Sequence, residues 1–240
     1  MFKLPSAVRH SVLIASMLFT VGSANAVPVT GSSLGTFALS NNGLASGCIL
    51  FNTCRTADND RRLEWGYGAG APASTLKGGV TTWSGNSANA TGQNVRLATL
   101  SWFNGATDDW VTPDILRADY TLAFTFSNPT GATDTETFNL RINNTENIAG
   151  DILTGLTMQD LSGISFNLGN VIMSNLRYVL ETGPGTFNQN TWVNPENATS
   201  TLSIVADFRD AVTAVPEPAS LALLGAGLLG LGAMRRRRQV

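Results

Sequence analysis

Two stretches with a strict two-residue period direct this chain toward a sheet-built fold. Tyr120, Leu122, Phe124 and Phe126 alternate with Thr121, Ala123, Thr125 and Ser127, and Phe138, Leu140 and Ile142 then alternate with Thr137, Asn139, Arg141 and Asn143. Successive side chains of a strand point to opposite faces, so each stretch has one apolar and one polar face. Asn128-Pro129-Thr130-Gly131 supplies turn residues between them, and the pair predicts a β-hairpin with a longish loop. Val95–Trp102, Ile164–Leu168, Leu176–Leu180 and Leu202–Phe208 are further strand candidates. In the last of these Leu202, Ile204, Ala206 and Phe208 share a face. The nearest approach to a helical period is Ile148–Leu161, which Gly150 and Gly155 interrupt, so a helix there is short. Short strands with one apolar face, separated by polar turns, predict a mainly β protein. The expected architecture is an antiparallel β-sandwich, jelly-roll or Ig-like.

The two ends differ in composition from this middle. Lys3 and Arg9 precede an uncharged run, Ser11–Val21, too short to cross a bilayer as a stable helix. Ala24-Asn25-Ala26 follows as a small-x-small site. This order predicts a signal peptide over 1–26, cleaved between Ala26 and Val27, with an uncleaved N-terminal anchor as the alternative. Residues 27–214 then form the exported domain, and 215–240 a C-terminal apolar and basic tail. The domain is long enough for one core.

Charge removes one functional class. Residues 27–214 hold one lysine, eight arginines and sixteen acids, a net charge of −7. The whole-chain value of −2 conceals this, because the other cations sit in the two ends. An acidic domain with scattered cations lacks the electrostatic footprint of a nucleic-acid binder. The two cysteines, Cys48 and Cys54, both fall in the exported part. Export places them where thiols oxidise, so they read as one disulfide closing a small loop, worth about 2 kcal/mol in the chain-entropy model. A metal site or a reactive thiol are the alternatives, without a histidine nearby.

The sole histidine, His10, lies in the signal segment. The domain therefore has no Ser-His-Asp or Cys-His arrangement and no histidine-ligated metal, and no cofactor is expected. Paired carboxylates of the glycosidase kind remain as candidate chemistry. Asp108 and Asp109 beside Trp102 and Trp110 form the most suggestive cluster, with a solvated turn flanked by core tryptophans as the plain alternative. Asp58-Asn59-Asp60 begins like a calcium loop, but Arg62 stands where glycine is needed and Ala69 where the closing acid belongs. Gly225-Ala226-Gly227-Leu228-Leu229-Gly230 spells a dinucleotide motif by letter only. Ten residues follow it, too few for the strand and acid that such a site requires.

The tail is more specific. Val215-Pro216-Glu217-Pro218 leads into sixteen apolar or small residues, Ala219–Met234, and then Arg235, Arg236, Arg237 and Arg238. As a helix the apolar run is about 24 Å long, against a hydrocarbon core of about 30 Å. That makes it marginal as a permanent span and adequate as a transient stop, with the arginines on the cytoplasmic side. This order resembles the PEP-CTERM sorting signal. The resemblance implies recognition and cleavage by an exosortase, a membrane-embedded cysteine protease, in a Gram-negative bacterium that makes extracellular polysaccharide. The inner membrane would hold the chain transiently, before it reaches the cell surface or the exterior. Within the domain, Leu97–Gly105 preceded by Leu63-Glu64-Trp65-Gly66 resembles the exported choice-of-anchor β-domains. One such family carries a Thr-His-x-Asn signature. Ser101 and Trp102 stand at its first two positions here, and Asn104 matches its last.

These features support a non-enzymatic exported surface or matrix protein. A carbohydrate-binding module for extracellular polysaccharide, stacking on Trp65, Trp83, Trp102, Trp110 or Trp192, is the alternative. A glycan-cleaving enzyme is the third reading.

Overall fold

The computed structural model describes residues 26–40, 53–66, 72–87, 92–106, 115–145, 150–164 and 166–211, with 225, 227 and 228 in the tail. Its strands are β1 (Pro28–Leu39), β2 (Arg55–Ala57), β3 (Arg62–Trp65), β4 (Ser74–Lys77), β5 (Val80–Asn86), β6 (Val95–Asn104) and β7 (Ile115–Asn128). They continue with β8 (Ala132–Asn143), β9 (Asp151–Thr154), β10 (Val171–Thr182), β11 (Thr186–Asn188), β12 (Thr191–Asn194) and β13 (Ala198–Asp210). One sheet runs β11-β12-β9-β8-β7-β1-β5 and the other β10-β13-β6-β4-β3-β2, with every pairing antiparallel. The two sheets pack as the expected sandwich.

The predicted hairpin is β7–β8, with Tyr120 opposite Phe138 and Phe126 opposite Ala132. Its apolar faces are the buried ones: Tyr120, Leu122, Phe124, Phe126, Phe138, Leu140 and Ile142 are all at most 2 % exposed. Across the core, Phe126 meets Phe208 of the opposite sheet at 5.9 Å between ring centroids, and Trp102 meets Trp192 edge-on at 5.3 Å. Aromatic pairs of this geometry add to the burial that drives the sheets together. The candidates at Val95–Trp102, Leu176–Leu180 and Leu202–Phe208 lie inside the longer strands β6, β10 and β13.

Ile164–Leu168 is not a strand. Ile164 caps a short helix, α1 (Met158–Gly163), and Leu168 makes a single bridge to Val171. The alternating apolar positions instead cover the core's edge, where Phe166 lies 4.4 Å from Phe126 and 5.9 Å from Phe124. Alternation there records burial without a neighbouring strand to complete a ladder. The short helix is present, but later than the Ile148–Leu161 window suggests, because β9 occupies part of that window. Thr157 caps α1 by accepting a hydrogen bond from the Asp160 N–H.

Strand β1 has no apolar alternation, yet it is paired on both sides, between β7 and the edge strand β5. Its inward positions include Gly31 and Gly35. A Cβ at Gly31 would come within 2.5 Å of the Trp83 ring, and one at Gly35 within 2.4 Å of the Tyr120 hydroxyl. The glycines let large rings of other strands lie directly on the β1 backbone.

Candidate functional site

The strand directions give the sandwich two poles, separated by the ten residues of β6, about 30 Å at the usual rise. Both ends of the domain meet at one of them. The Val27 N–H donates to Ser87 Oγ at 3.1 Å, and the Ser87 N–H donates back to the Val27 carbonyl at 3.0 Å. The Ser87 hydroxyl in turn donates to Asp210 Oδ1, on the last residue of β13. Ala211 N donates to the Asn170 carbonyl at 2.6 Å, which fixes the chain as it leaves the sheet. Val215 follows five residues after Asp210, so the tail begins no more than about 18 Å from this pole.

The opposite pole holds a buried polar cluster joining the two sheets. Asn194 of β12 donates from Nδ2 to the Trp102 carbonyl at 2.9 Å and the Ala198 carbonyl at 3.0 Å. Its Oδ1 accepts from the Ser200 hydroxyl at 2.9 Å, and Ser200 accepts from Trp192 Nε1 at 3.0 Å. Asn104 of β6 donates to the Asn194 carbonyl at 2.8 Å, while Ser74 Oγ bridges Asn104 Oδ1 and the Gly105 backbone. Asn104, Asn194, Ser74 and Ser200 have no exposed surface. Each is held by partners that only this packing supplies.

Beside them Asp151 is 1 % exposed. Its Oδ1 accepts from the Thr145 N–H at 2.8 Å, and its Oδ2 has no hydrogen-bond partner. Burial pushes its carboxyl up to about 6, and the nearby Glu196 charge adds to the rise. The Thr145 bonds and the Trp65 indole work the other way. Trp65 Nε1 is itself without a bonded partner, so the indole acts on the carboxylate by proximity. A raised carboxyl binds its proton more tightly in the folded state, so stability falls as pH rises from about 4 to about 6 and is level above that. Asp151→Asn should remove this loss, worth about 3 kcal/mol. Urea midpoints of the parent and variant at pH 4 to 7 check it. The parent should fall progressively behind between pH 4 and 6, and a constant difference would contradict the assignment.

Several residues suggested by the sequence lie elsewhere than surface recognition needs. Trp65, Trp102 and Trp192 are fully buried and Trp83 is 6 % exposed, so these four form no surface platform for a sugar. Trp102 is a core residue, because its position on β6 shares the inward face of Leu100 and Ala98. Asp108, Asp109 and Trp110 lie outside the described residues, as do Ala24, Cys48, Pro216, Glu217, Pro218 and Arg235–Arg238. Asp58-Asn59-Asp60 is the turn of the β2–β3 hairpin, with all three residues at φ between 56° and 62°. Asp58 pairs with Arg62 at 3.1 Å and Asp60 accepts from Thr56 at 2.6 Å, so both carboxylates serve the hairpin. Among the described residues no three histidine, cysteine, aspartate or glutamate side chains gather as metal ligands. An open cleft of about 590 Å³ between β5 and β6 is lined by Thr81, Ser84, Gln93, Asn94, Arg96 and their neighbours, without a carboxylate. A second, of about 360 Å³ beside the β2–β3 turn, has Asp58 as its one carboxylate. Neither cleft pairs two acids.

Cys54 is 5 % exposed, and no cysteine among the described residues is free. In the tail Gly225, Gly227 and Leu228 are helical. Among the described residues no helix is long and apolar enough to cross a membrane.

Residues 214–238 match the family model described as the PEP-CTERM protein-sorting motif. No curated protein matches the chain. The motif marks an exported chain, sorted at the membrane of a Gram-negative bacterium with an exosortase as its processing partner. The match covers the tail and not the sandwich.

Proposed function

We infer that the chain is a non-enzymatic surface or extracellular-matrix protein, displayed by a tail that is processed during sorting. The observation that supports this reading most is the meeting of Val27 and Asp210 at one pole. A signal segment ending at Ala26 and a sorting tail starting at Val215 would both draw the same pole toward the membrane. The Asn194 pole then faces outward, away from the site of processing. The Ala219–Met234 helix would hold the tail in the bilayer until cleavage, with Arg235–Arg238 on the cytoplasmic side.

Cell fractionation tests this placement. In a host with an exosortase, the domain should appear at the cell surface or in the medium. In the same host lacking the exosortase, it should stay with the inner membrane. Equal distribution in both hosts would leave the reading without support.

The export reading also implies that Cys48 and Cys54 are bonded in the mature protein, closing a loop that ends at the β2 edge. Alkylation of unreduced protein followed by mass spectrometry should find no modified thiol. Two labelled cysteines would end that assignment.

A further inference from the structure

We propose that cleavage between Ala26 and Val27 creates a charged latch, in which the new α-ammonium of Val27 is held through Ser87 against the Asp210 carboxylate. The proposal rests on the export reading, which places cleavage at that bond. Before cleavage the Val27 nitrogen is an uncharged amide with one hydrogen, already 3.1 Å from Ser87 Oγ. Hydrolysis adds one water: the carboxylate leaves with Ala26, and the amine remains on Val27. An α-amino group titrates near 7.7 to 8.0, so it is largely protonated at neutral pH. The same position then holds three donors and a positive charge, one hydroxyl away from Asp210.

The surroundings favour that charge. Ser87 is 6 % exposed, and Val27 packs against the core, so water competes poorly for the hydroxyl between them. Among the described residues no cation pairs with Asp210; the Ser87 hydroxyl is its partner. The neighbouring Asp207 is instead occupied by Arg177, Asn175 and the Asn94 N–H. Charge-assisted hydrogen bonds are stronger than neutral ones, so the Val27–Ser87 bond, neutral in the precursor, strengthens once the signal segment is gone. The latch ties β1 of one sheet to β13 of the other, at the residue from which the tail departs. Removal of one targeting segment thus braces the pole that carries the second.

The test compares chains purified with the tail in mild detergent, beginning at Val27 or at Ala26, each with Asp210 and with Asp210→Asn. The Val27 chain should melt roughly 2–4 °C above the Ala26 chain, a measurable step for a domain of this length. Asp210→Asn should erase the difference. Equal midpoints with Asp210 present, or a difference that survives Asp210→Asn, would overturn the latch. A second readout does not depend on melting: an amine-reactive reagent should label the Val27 amine more slowly in the parent than in the Asp210→Asn chain, using Lys77 as the internal reference. Equal labelling would also overturn it. N-terminal sequencing of protein from the native host tests the export reading separately, since a terminus other than Val27 removes the premise whatever the melting data show.

Discussion

Asn194→Ala is expected to lower the stability of the sandwich by about 3–5 kcal/mol, because it leaves several buried groups without partners at once. The Asn194 side chain satisfies the carbonyls of Trp102 and Ala198 and accepts from Ser200. Ser200 in turn receives the Trp192 indole N–H, so the loss reaches the aromatic contact between the sheets. No water replaces the side chain easily at a site with no exposed surface. Thermal unfolding measures the effect, and a midpoint lower by roughly 10 °C or more follows from the usual scaling. Asn139→Ala, at an exposed outward position of β8, should change the midpoint little. Equal effects of the two substitutions would mean that the buried cluster does not join the sheets.

The same cluster shows what the sequence makes legible and what it hides. The β7–β8 hairpin is readable because its inward positions are almost all aromatic or aliphatic, so period and burial coincide. β1 is unreadable in that way, since its inward face alternates Val29, Gly31, Ser33, Gly35 and Phe37. Two of those positions are vacated for Trp83 and Tyr120, and Ser33 spends its hydroxyl on the Leu97 carbonyl across the core at 2.7 Å. Ile164–Leu168 misleads in the opposite sense, with alternation at the core's edge and no ladder. Asn104, Asn194 and Asp151 resemble turn residues because turns follow or precede them. Phase is the available signal: Asn104 continues the inward series of Ala98, Leu100 and Trp102, and Asn194 follows Trp192 at the same parity. Asp210 likewise continues the series of Ala206 and Phe208. The tryptophans beside acids suggest a sugar platform by composition, but strand parity turns Trp102 inward. The tail is legible without any fold, because proline turn, apolar run and arginine cluster act through order along the chain.

The second large effect concerns that tail. Replacing Pro216-Glu217-Pro218 with alanines should leave membrane insertion intact and reduce the processed fraction from most chains to a small minority. Proline removes a backbone donor and disfavours helix in the residue before it, so these prolines oppose a helix running upstream of Ala219. An extended segment fits a protease site, whereas alanines let the helix continue through it. Neutralising Arg235–Arg238 should act differently, weakening retention as well as lowering processing, because the cytoplasmic anchor is lost. Membrane extraction combined with immunoblotting separates the two: the alanine variant stays membrane-bound at full length, and the arginine variant is lost from the membrane fraction.

The mass of the mature C-terminus tests the account most directly. In a host with an exosortase, the recovered protein should lack Met234 and Arg235–Arg238, and in the same host without it the tail should be intact. If the protein from the exosortase-containing host retains Met234 and the four arginines, the chain is held by a plain membrane anchor and the sorting account is wrong.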